Sequence, residues 1–240
     1  MIKLENTEVM GWEAAIRGMR NPLNSWDKSD SGTKCPYEKE ACCGECQQNF
    51  CIGPNDKDLM KRLRNAGTDH RKFMRMIAVY VDITAPLYWW KEFDTYKVGT
   101  VANSCSTMHK IADKEFEFRD FSHEKLINSL SMEIQEQHIV YSPMQVLAIT
   151  IKCLNSYREL YLRTKDNKYW WQMIQLLPSS YNQRRTVMLN YEVLANMYKS
   201  RKNHKLDEWH VLCDWVKTLP YSELITGEFD IPEDDNGTSN

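Results

Sequence analysis

The sequence lacks the features that mark membrane and nucleic-acid-binding proteins. No stretch of about 18 consecutive apolar residues occurs in the chain, so no membrane-spanning helix is predicted. The N-terminus MIKLENTEVMGWEA has no apolar core of the signal-peptide kind, so we expect a cytoplasmic protein. Positive charge is not in excess either, because 31 Lys and Arg face 33 Asp and Glu. Duplex nucleic acid, which requires clustered cations, is therefore not an expected partner.

Internal repeats and a clear linker are also missing, which favours one folded domain. With 240 residues, the chain is long enough to bury a substantial core. We predict a single domain over residues 1–226, with a cysteine-rich insertion at about 27–54. The remaining segment, 227–240, is acidic and rich in Gly, Pro and Asn, a composition typical of a disordered tail.

Apolar residues recur mostly at helical spacing, and strand patterns are few. The fold class expected is therefore α+β, dominated by helices. The predicted helices cover 9–20, 56–65, 123–135, 143–164, 167–177, 190–201 and 206–219. The predicted strands cover 2–4, 76–83 and 183–188.

The stretch from Asp69 to Lys110 is the most informative part of the chain. It predicts a strand, then a helix opened by Thr84 and Pro86, then a polar loop from Gly99 to Thr107. Three consecutive aromatic residues on the helix, beginning at Tyr88, predict either burial on most sides or a cover over a flat ligand. The small polar residues of the loop suit a backbone that approaches a ligand closely.

This arrangement resembles the core of the flavin-dependent thymidylate synthases (ThyX). The family signature in the loop runs Arg-His-Arg, two residues, Ser, Asn or Gln, then Glu, Ser, Arg and Tyr. Here Tyr96-Lys97-Val98 stands in place of the basic triplet, and Ser104 stands in place of the glutamate. Ser106 matches the second serine, whereas Met108-His109 replaces Arg-Tyr. The scaffold resembles the family while most of the signature is exchanged.

The resemblance extends over about residues 1–225. Glu13-Ala-Ala-Ile-Arg17 is similar to the first helix of the family, and the segment ending at His70 is similar to its Gly-His element. Asn190 and Arg201 match the last conserved pair. Glu192 occupies the place of a nucleotide-binding arginine, and we expect its charge to repel a phosphate there.

The resemblance implies a small twisted antiparallel sheet flanked by helices, assembled as a homotetramer with active sites between subunits. It implies FAD as cofactor, NADPH and a folate as further partners, and a pyrimidine nucleotide such as dUMP as substrate. The expected activity is that of a flavin-dependent nucleotide methyltransferase with a rebuilt active site. The cofactor-binding residues expected are His70, Asn103, Asn190, Arg201 and His204. The substrate-binding residues expected are Lys97, Ser104, Ser106, Arg184 and Arg185.

Other interpretations of these residues stay open at the level of sequence. Arg184 and Arg185 suit a phosphate site, or simply a solvated basic turn. Cys105, four residues before His109, suits a nucleophile, or a small buried side chain. The whole chain fits an enzyme, a nucleotide-binding or sequestering protein without catalysis, or a protein-interaction module on the same fold.

Five cysteines fall within seventeen residues, from Cys35 to Cys51. In a reducing cytosol such a cluster favours a metal over disulfides. The spacing Cys43-Gly-Glu-Cys46 is typical of a zinc knuckle, which predicts a structural zinc ion that staples a long loop. The expected ligands are Cys35, Cys43, Cys46 and Cys51. An iron–sulfur cluster, disulfides or free thiols are the alternatives.

Overall fold

The computed structural model describes residues 2–33, 50–129 and 140–229. The α+β prediction is confirmed, because helices surround one small antiparallel sheet. Its four strands are β1 (Lys3–Met10), β2 (Ala78–Pro86), β3 (Val101–Ser104) and β4 (Asn182–Asn190), in the order β1-β2-β4-β3.

The described helices follow the predicted set closely in the second half of the chain. Ser142 and Asp166 directly precede the helices predicted at 143–164 and 167–177, and a serine or aspartate at that position favours a cap; each accepts a hydrogen bond from a backbone N–H in the first turn. The α-helices are α1 (Trp12–Arg20), α2 (Pro54–Asn65), α3 (Leu87–Phe93), α4 (Thr107–Lys110), α5 (Pro143–Thr164), α6 (Asn167–Leu176), α7 (Tyr191–Arg201), α8 (Asp207–Lys217) and α9 (Glu223–Thr226). Single 3-10 turns lie at Asn21–Leu23, Trp26–Lys28, Lys72–Met76 and Phe118–Asp120.

The N-terminal prediction is wrong at one boundary. The strand extends through Met10, and the helix predicted from residue 9 begins at Trp12. Gly11 separates the two elements with a φ of 98°, a left-handed conformation that favours glycine. A Cβ at Gly11 would lie 2.2 Å from the carbonyl oxygen of Met76, so the close approach of that backbone fixes where the strand ends.

The start of α3 also differs from the prediction. Thr84 lies inside β2 and does not cap the helix, which begins at Leu87 after Pro86. The N–H groups of Leu87 and Tyr88 donate to the carbonyl oxygens of Tyr181 and Ser179, both at 3.0 Å. Backbone carbonyls therefore satisfy the free amides that a threonine cap would have served.

Two further segments depart from the expected pattern. Part of the predicted polar loop is strand β3, whose four residues are all exposed. The helix predicted at 123–135 is not formed over residues 123–129, and its remainder lies outside the described residues.

Contacts divide the chain into two compact units, and the single domain expected from the sequence stays a prediction. The first unit, here the cavity unit, comprises Met1–Glu5, Asp82–Thr95 and Ala102–Val187. Its core brings helices α5 and α6 together with the segment after α4. The buried residues of this core are Ile111, Ala112, Phe116, Phe121, Leu147, Ile151, Leu154 and Met173.

The second unit, here the α7 unit, comprises Asn6–Val81, Tyr96–Val101 and Met188–Asn240. Trp12 of α1 packs edge-on against Tyr191 of α7 at a ring-centroid distance of 5.2 Å. The phenol of Tyr191 is buried and donates its hydrogen bond to the carbonyl oxygen of Pro220. This unit therefore has its own core, built around the first turn of α7.

A buried ion pair anchors the segment before the cysteine-rich insertion. Arg20 donates from Nε to Asp56 Oδ1 at 2.6 Å, and their side chains are 4% and 0% exposed. The other oxygen of Asp56 accepts hydrogen bonds from the hydroxyls of Ser29 and Ser31 at 2.7 and 2.6 Å. The backbone around these serines is thereby tied to the start of α2.

The zinc prediction gains no support from the described part of the chain. Cys51 is part of a disulfide bond, so its sulfur is not available as a thiolate ligand. Cys35, Cys43 and Cys46 lie outside the described residues. Over 2–33, 50–129 and 140–229, no group of three or more His, Cys, Asp or Glu side chains is placed to hold a metal ion.

None of the helices in the described ranges combines the length and the apolar character that a membrane crossing requires.

Candidate functional site

A cavity of about 460 Å³ opens in the cavity unit between α4 and the start of β4. Small-molecule sites in proteins typically measure about 300–1,000 Å³, so its size suits a ligand as large as a nucleotide. Two of the predicted substrate-binding residues, Ser106 and Arg184, line it. The remaining lining residues are Thr84, Cys105, Thr107, Lys110, Ile111, Asp113, Lys114, Arg119, Asp120, Tyr181, Asn182 and Gln183.

Backbone pairing with β4 fixes the position of the loop that carries Ser106. The N–H of Cys105 donates to the carbonyl oxygen of Arg184 at 2.9 Å, and the Gln183 amide donates to the carbonyl oxygen of Cys105 at 3.0 Å. The Ser106 hydroxyl accepts from the N–H of His109 at 3.1 Å and so caps α4. The N–H and the carbonyl oxygen of Cys105 therefore both bind to β4 and hold this wall of the cavity against the strand.

Alternation along β4 separates the two predicted arginines. Arg184 and Thr186 both donate to the carboxylate of Asp82 on β2, at 2.8 and 2.6 Å. Arg185 instead donates from Nε to the side-chain oxygen of Gln183 at 3.0 Å. Because successive side chains of a strand point to opposite faces, only Arg184 of this pair lines the cavity.

Arg185 is engaged in packing on its own face of the sheet. Its guanidinium lies 4.1 Å from the ring centre of Trp90, and Nη1 donates to Asp94 at 2.7 Å. The indole of Trp90 donates to the carbonyl oxygen of Gln183 at 3.0 Å. Trp89 and Trp90 are buried, which favours burial among the two alternatives predicted for the aromatic run. Arg185 therefore stabilises the packing of α3 against β4.

Cationic side chains stand at the rim of the cavity. Lys110, Lys114, Arg119 and Arg184 have exposed fractions of 70%, 66%, 79% and 47%. Each is in an ion pair with a neighbouring carboxylate. The pairs Lys110–Asp113 and Arg119–Glu117 are exposed on both sides, and such pairs contribute only about 0–1 kcal/mol, so an incoming anion can replace these two carboxylates at little cost.

Neutral polar side chains that are less exposed than the cations also line the cavity, and the pair Tyr181 and Asn182 is here called its floor. Tyr181 is half-buried, and its ring packs edge-on against Phe121 at 5.6 Å between centroids. Burial raises the pKa of Tyr181, and the charges of Asp120 and Cys105 add to the effect, so the phenol stays protonated at neutral pH. The side-chain oxygen of Asn182 accepts from the Ser122 hydroxyl at 3.0 Å.

Two of the predicted cofactor residues come together in the α7 unit. The guanidinium of Arg201 lies 4.7 Å from the ring centre of Trp209, and its Nε donates to the Tyr96 hydroxyl at 2.9 Å. The imidazole of His204 packs edge-on against the ring of Trp209, with 6.2 Å between the two centroids. Arg201 and His204 therefore share one aromatic neighbour.

Other predicted residues have separate local roles. Asn190 caps α7 by accepting from the N–H of Val193 at 3.0 Å. Lys97 and His70 are exposed in the α7 unit. Asn103 and Ser104 are exposed on β3, and neither is among the residues that line the cavity.

Glu192, expected to repel a phosphate, has a cationic partner. Arg71 donates from Nη2 to Glu192 Oε1 at 3.0 Å, and its Nε lies 2.8 Å from Oε2. The carboxylate is therefore neutralised within the α7 unit, and the expected repulsion is offset.

Sequence reasoning missed most of the cavity lining. Tyr181 and Asn182 belong to the loop that precedes the two arginines, but neither carries a charge or a motif that marks a site. Lys110, Lys114 and Arg119 are spread over ten residues of a segment without periodicity. Contacts between residues far apart in the chain, such as the Cys105–Arg184 backbone hydrogen bond and the Phe121–Tyr181 bridge, bring the two segments to one cavity.

Comparison with known proteins places the fold. No protein-family model matches the sequence, and no curated protein sequence matches it significantly. Two solved structures of ThyX from Helicobacter pylori, both with FAD and dUMP, have TM-scores of 0.62 and 0.61 to this chain at 18% and 17% identity. They cover 95% of this chain, which in turn covers 98% and 100% of them.

A second kind of protein gives a similar result. The UMP/dUMP methylase PolB from Streptomyces cacaoi, bound with 5-Br UMP, has a TM-score of 0.56 at 11% identity. The match covers 95% of this chain and 94% of PolB. At such identities the likeness concerns the fold, along nearly the whole length of both chains. The chain therefore has the fold of the flavin-dependent thymidylate synthases, as the sequence resemblance predicts.

Proposed function

We propose that this protein binds a pyrimidine mononucleotide such as dUMP in the cavity between α4 and β4. The observation that carries the proposal is the division of the cavity into a cationic rim and a neutral polar floor. Four cationic and two carboxylate side chains line it, and the carboxylates that pair with the other two cations, Asp82 and Glu117, are not part of the lining. The fold neighbours from Helicobacter pylori were solved with dUMP, and PolB with 5-Br UMP, which supports the same class of ligand.

The rim suits a phosphate group and the floor suits a base. Guanidinium and ammonium groups form charge-assisted hydrogen bonds with phosphate that are about twice as strong as neutral ones. Arg184 is the best placed of them, because its strand and its pairing with Asp82 hold it in position. In this arrangement Arg184 replaces the arginines that the family signature supplies and this chain lacks.

For the cofactor, we propose that the α7 unit contributes Arg201 and His204 to a flavin site. The donor set fits the anionic part of the group, because the Arg201 guanidinium and the His204 imidazole meet beside the buried indole of Trp209 and can donate to phosphate oxygens. Bound FAD would supply hydride-transfer chemistry. Arg201 would contribute a positive charge, with its guanidinium held in place by the ring of Trp209. NADPH, a folate and the homotetramer are further predictions that the family resemblance carries.

A protein that binds the nucleotide without catalysis is the second candidate. The observation that favours it is the Arg71–Glu192 pair, because both side chains are engaged with each other at the position where the family has a nucleotide-binding arginine. Absorbance separates the two candidates. The purified protein, or the protein reconstituted with FAD, shows flavin bands if the first is right. A protein that stays colourless after reconstitution leaves nucleotide binding without flavin chemistry.

Calorimetric titration with dUMP and with deoxyuridine tests nucleotide binding. We expect dUMP to bind and deoxyuridine to bind at least about tenfold more weakly, since the phosphate is the group that meets the cations. Arg184→Ala should weaken dUMP binding by about tenfold or more. Arg163→Ala, which removes an exposed arginine of α5 outside the cavity, is the matched control and should leave it unchanged. Equal effects of the two variants would contradict the proposal.

A further inference from the structure

A second cavity, of about 600 Å³, lies within the α7 unit and is lined by residues of α2 and of the segment 217–229. Its volume also falls in the range typical of small-molecule sites. None of the residues proposed above to bind the nucleotide or the flavin lines it. The lining residues are Pro54, Lys57, Asp58, Met60, Lys61, Lys217, Tyr221, Ser222, Glu223, Leu224, Thr226, Glu228 and Phe229.

Helix α2 is fixed to α9 at two points along the cavity. Lys57 Nζ lies 3.2 Å from Oε1 of Glu223, the first residue of α9. Arg64, seven residues later, donates to two carbonyl oxygens of α9 at 3.2 and 3.4 Å. Residues three or four apart share one face of a helix, so Lys61 lies between these two contacts on the same face of α2.

Lys61 differs from the other two lysines that line this cavity. Each of those two forms an ion pair with a carboxylate, at 3.2 and 3.0 Å. Lys61 is half-buried, its Nζ lies 4.9 Å from the ring centre of Phe229, and it has no carboxylate partner among the described residues. An ammonium group has three donors and no acceptor, and an aromatic ring accepts them only weakly. Its hydrogen-bonding capacity is therefore unused.

The carboxylates that line the cavity are already engaged. Asp58 pairs with Arg62 at 2.9 Å, and Glu228 accepts from the hydroxyl of Tyr198 at 3.0 Å. The third carboxylate is the partner of Lys57. Three cations and three carboxylates therefore line the cavity, and the charged group left without a polar partner in the described part of the chain is a cation.

Apolar side chains lie in the same lining as this cation. Met60 and Leu224 are 1% and 2% exposed, and Phe229 carries Lys61 over its ring. We infer that this cavity is a second binding site, separate from the nucleotide cavity, for an organic anion with an aromatic or other apolar body. Lys61 donates to the anionic oxygens in charge-assisted hydrogen bonds, while the apolar body is removed from water against the apolar lining.

Fluorescence titration of the full-length protein with anilinonaphthalene sulfonate and with phenylnaphthylamine tests the inference, because the two probes share their ring systems and only the first carries a sulfonate. Lys61→Met should weaken binding of the sulfonate by about tenfold and binding of the neutral probe by less than about twofold. Lys61→Arg keeps the charge and should retain the sulfonate affinity within about threefold. Lys199→Met, which changes an exposed lysine of α7 that does not line the cavity, is the matched control and should change neither affinity.

Three outcomes would overturn the inference without touching the proposed nucleotide binding. The first is equal weakening of both probes, or of neither, in Lys61→Met. The second is displacement of the sulfonate by dUMP, which would place the probe in the nucleotide cavity.

The third outcome concerns the acidic residues that follow Phe229 in the sequence. The full-length triple variant Glu233→Gln, Asp234→Asn and Asp235→Asn should bind the sulfonate as the unmodified protein does. Binding more than about tenfold tighter would show that these carboxylates compete for Lys61, and would assign the cation to the chain's own tail.

Discussion

Arg71 and Glu192 form an ion pair whose side chains are only 15% and 8% exposed. One guanidinium nitrogen donates to Oε1 at 3.0 Å, while Nε lies 2.8 Å from Oε2 without the alignment of a hydrogen bond. The 3-10 turn Lys72–Met76 directly after Arg71 thereby becomes fixed to the first turn of α7. Glu192, which the sequence resemblance aligns with a family arginine, is thus accommodated by a cation 121 residues earlier in the chain.

We predict that Arg71→Leu lowers the free energy of unfolding by roughly 3 kcal/mol, because it leaves the Glu192 carboxylate buried without its partner. Urea denaturation at neutral pH measures the change. The double variant Arg71→Leu with Glu192→Leu removes both charges and should recover much of the loss. A double variant no more stable than the single one would show that the pair is not coupled.

The Arg20–Asp56 pair makes a prediction about acid stability. Burial alone would raise the pKa of Asp56, but hydrogen bonds from Ser31, Ser29 and Arg20 and the charge of Arg20 outweigh it, so the pKa is lowered. A lowered pKa stabilises the folded state above the unfolded value of about 3.9, and the contribution is lost as pH falls through the folded pKa.

Asp56→Asn should therefore reduce stability at neutral pH by roughly 2–4 kcal/mol and flatten its dependence on pH below about 4. Thermal unfolding followed by circular dichroism over a pH series gives both quantities. Asp58→Asn, on the exposed side of the same helix, is the control and should change neither by more than about 0.5 kcal/mol. An unchanged pH profile in Asp56→Asn would refute the assignment.

Thiol reactivity provides a test of ligand binding at the cavity. Cys105 is an exposed free cysteine and lines the cavity, so we expect iodoacetamide to alkylate it and dUMP to slow that reaction at least about threefold. Cys213 is the internal control, since burial and the charge of Asp214 raise its pKa to about 11 and keep it a thiol. Peptide mass spectrometry resolves the two sites. Equal labelling of Cys105 with and without saturating nucleotide would place the ligand elsewhere.

Arg185 and Arg184 should respond differently to truncation. Arg185→Ala removes the contacts with Trp90 and Asp94 and should lower the free energy of unfolding by about 1–2 kcal/mol. It should leave the dUMP dissociation constant within about twofold of the unmodified protein, because Arg185 does not line the cavity. Arg184→Ala should weaken dUMP binding and should lower the free energy of unfolding by less than Arg185→Ala does. Calorimetry and urea denaturation of both variants decide, and similar binding losses in the two would contradict the assignment of faces.

The sequence predicts the scaffold well because periodicity and capping are local signals. Ser142 and Asp166 mark their helices correctly, since a cap acts within a few residues of its own position. Thr84 fails as a cap because carbonyls from residues about 95 positions later serve the amides of α3. The sequence likewise does not predict that Lys110 and Tyr181 line one cavity. Strand pairing between distant parts of the chain brings them together, and composition and spacing do not encode that pairing.

The pairing of Arg184 with Asp82 and of Arg185 with Asp94 has a consequence for how β4 finds its place in the sheet. Sliding the strand by one position would exchange the two guanidinium groups between faces, carrying one away from Trp90 and the other away from the open side. In either case a carboxylate, Asp82 or Asp94, would lose its cationic partner. The two neighbouring arginines, paired on opposite faces, therefore select one register of β4. That register in turn determines which side chains of β4 line the cavity.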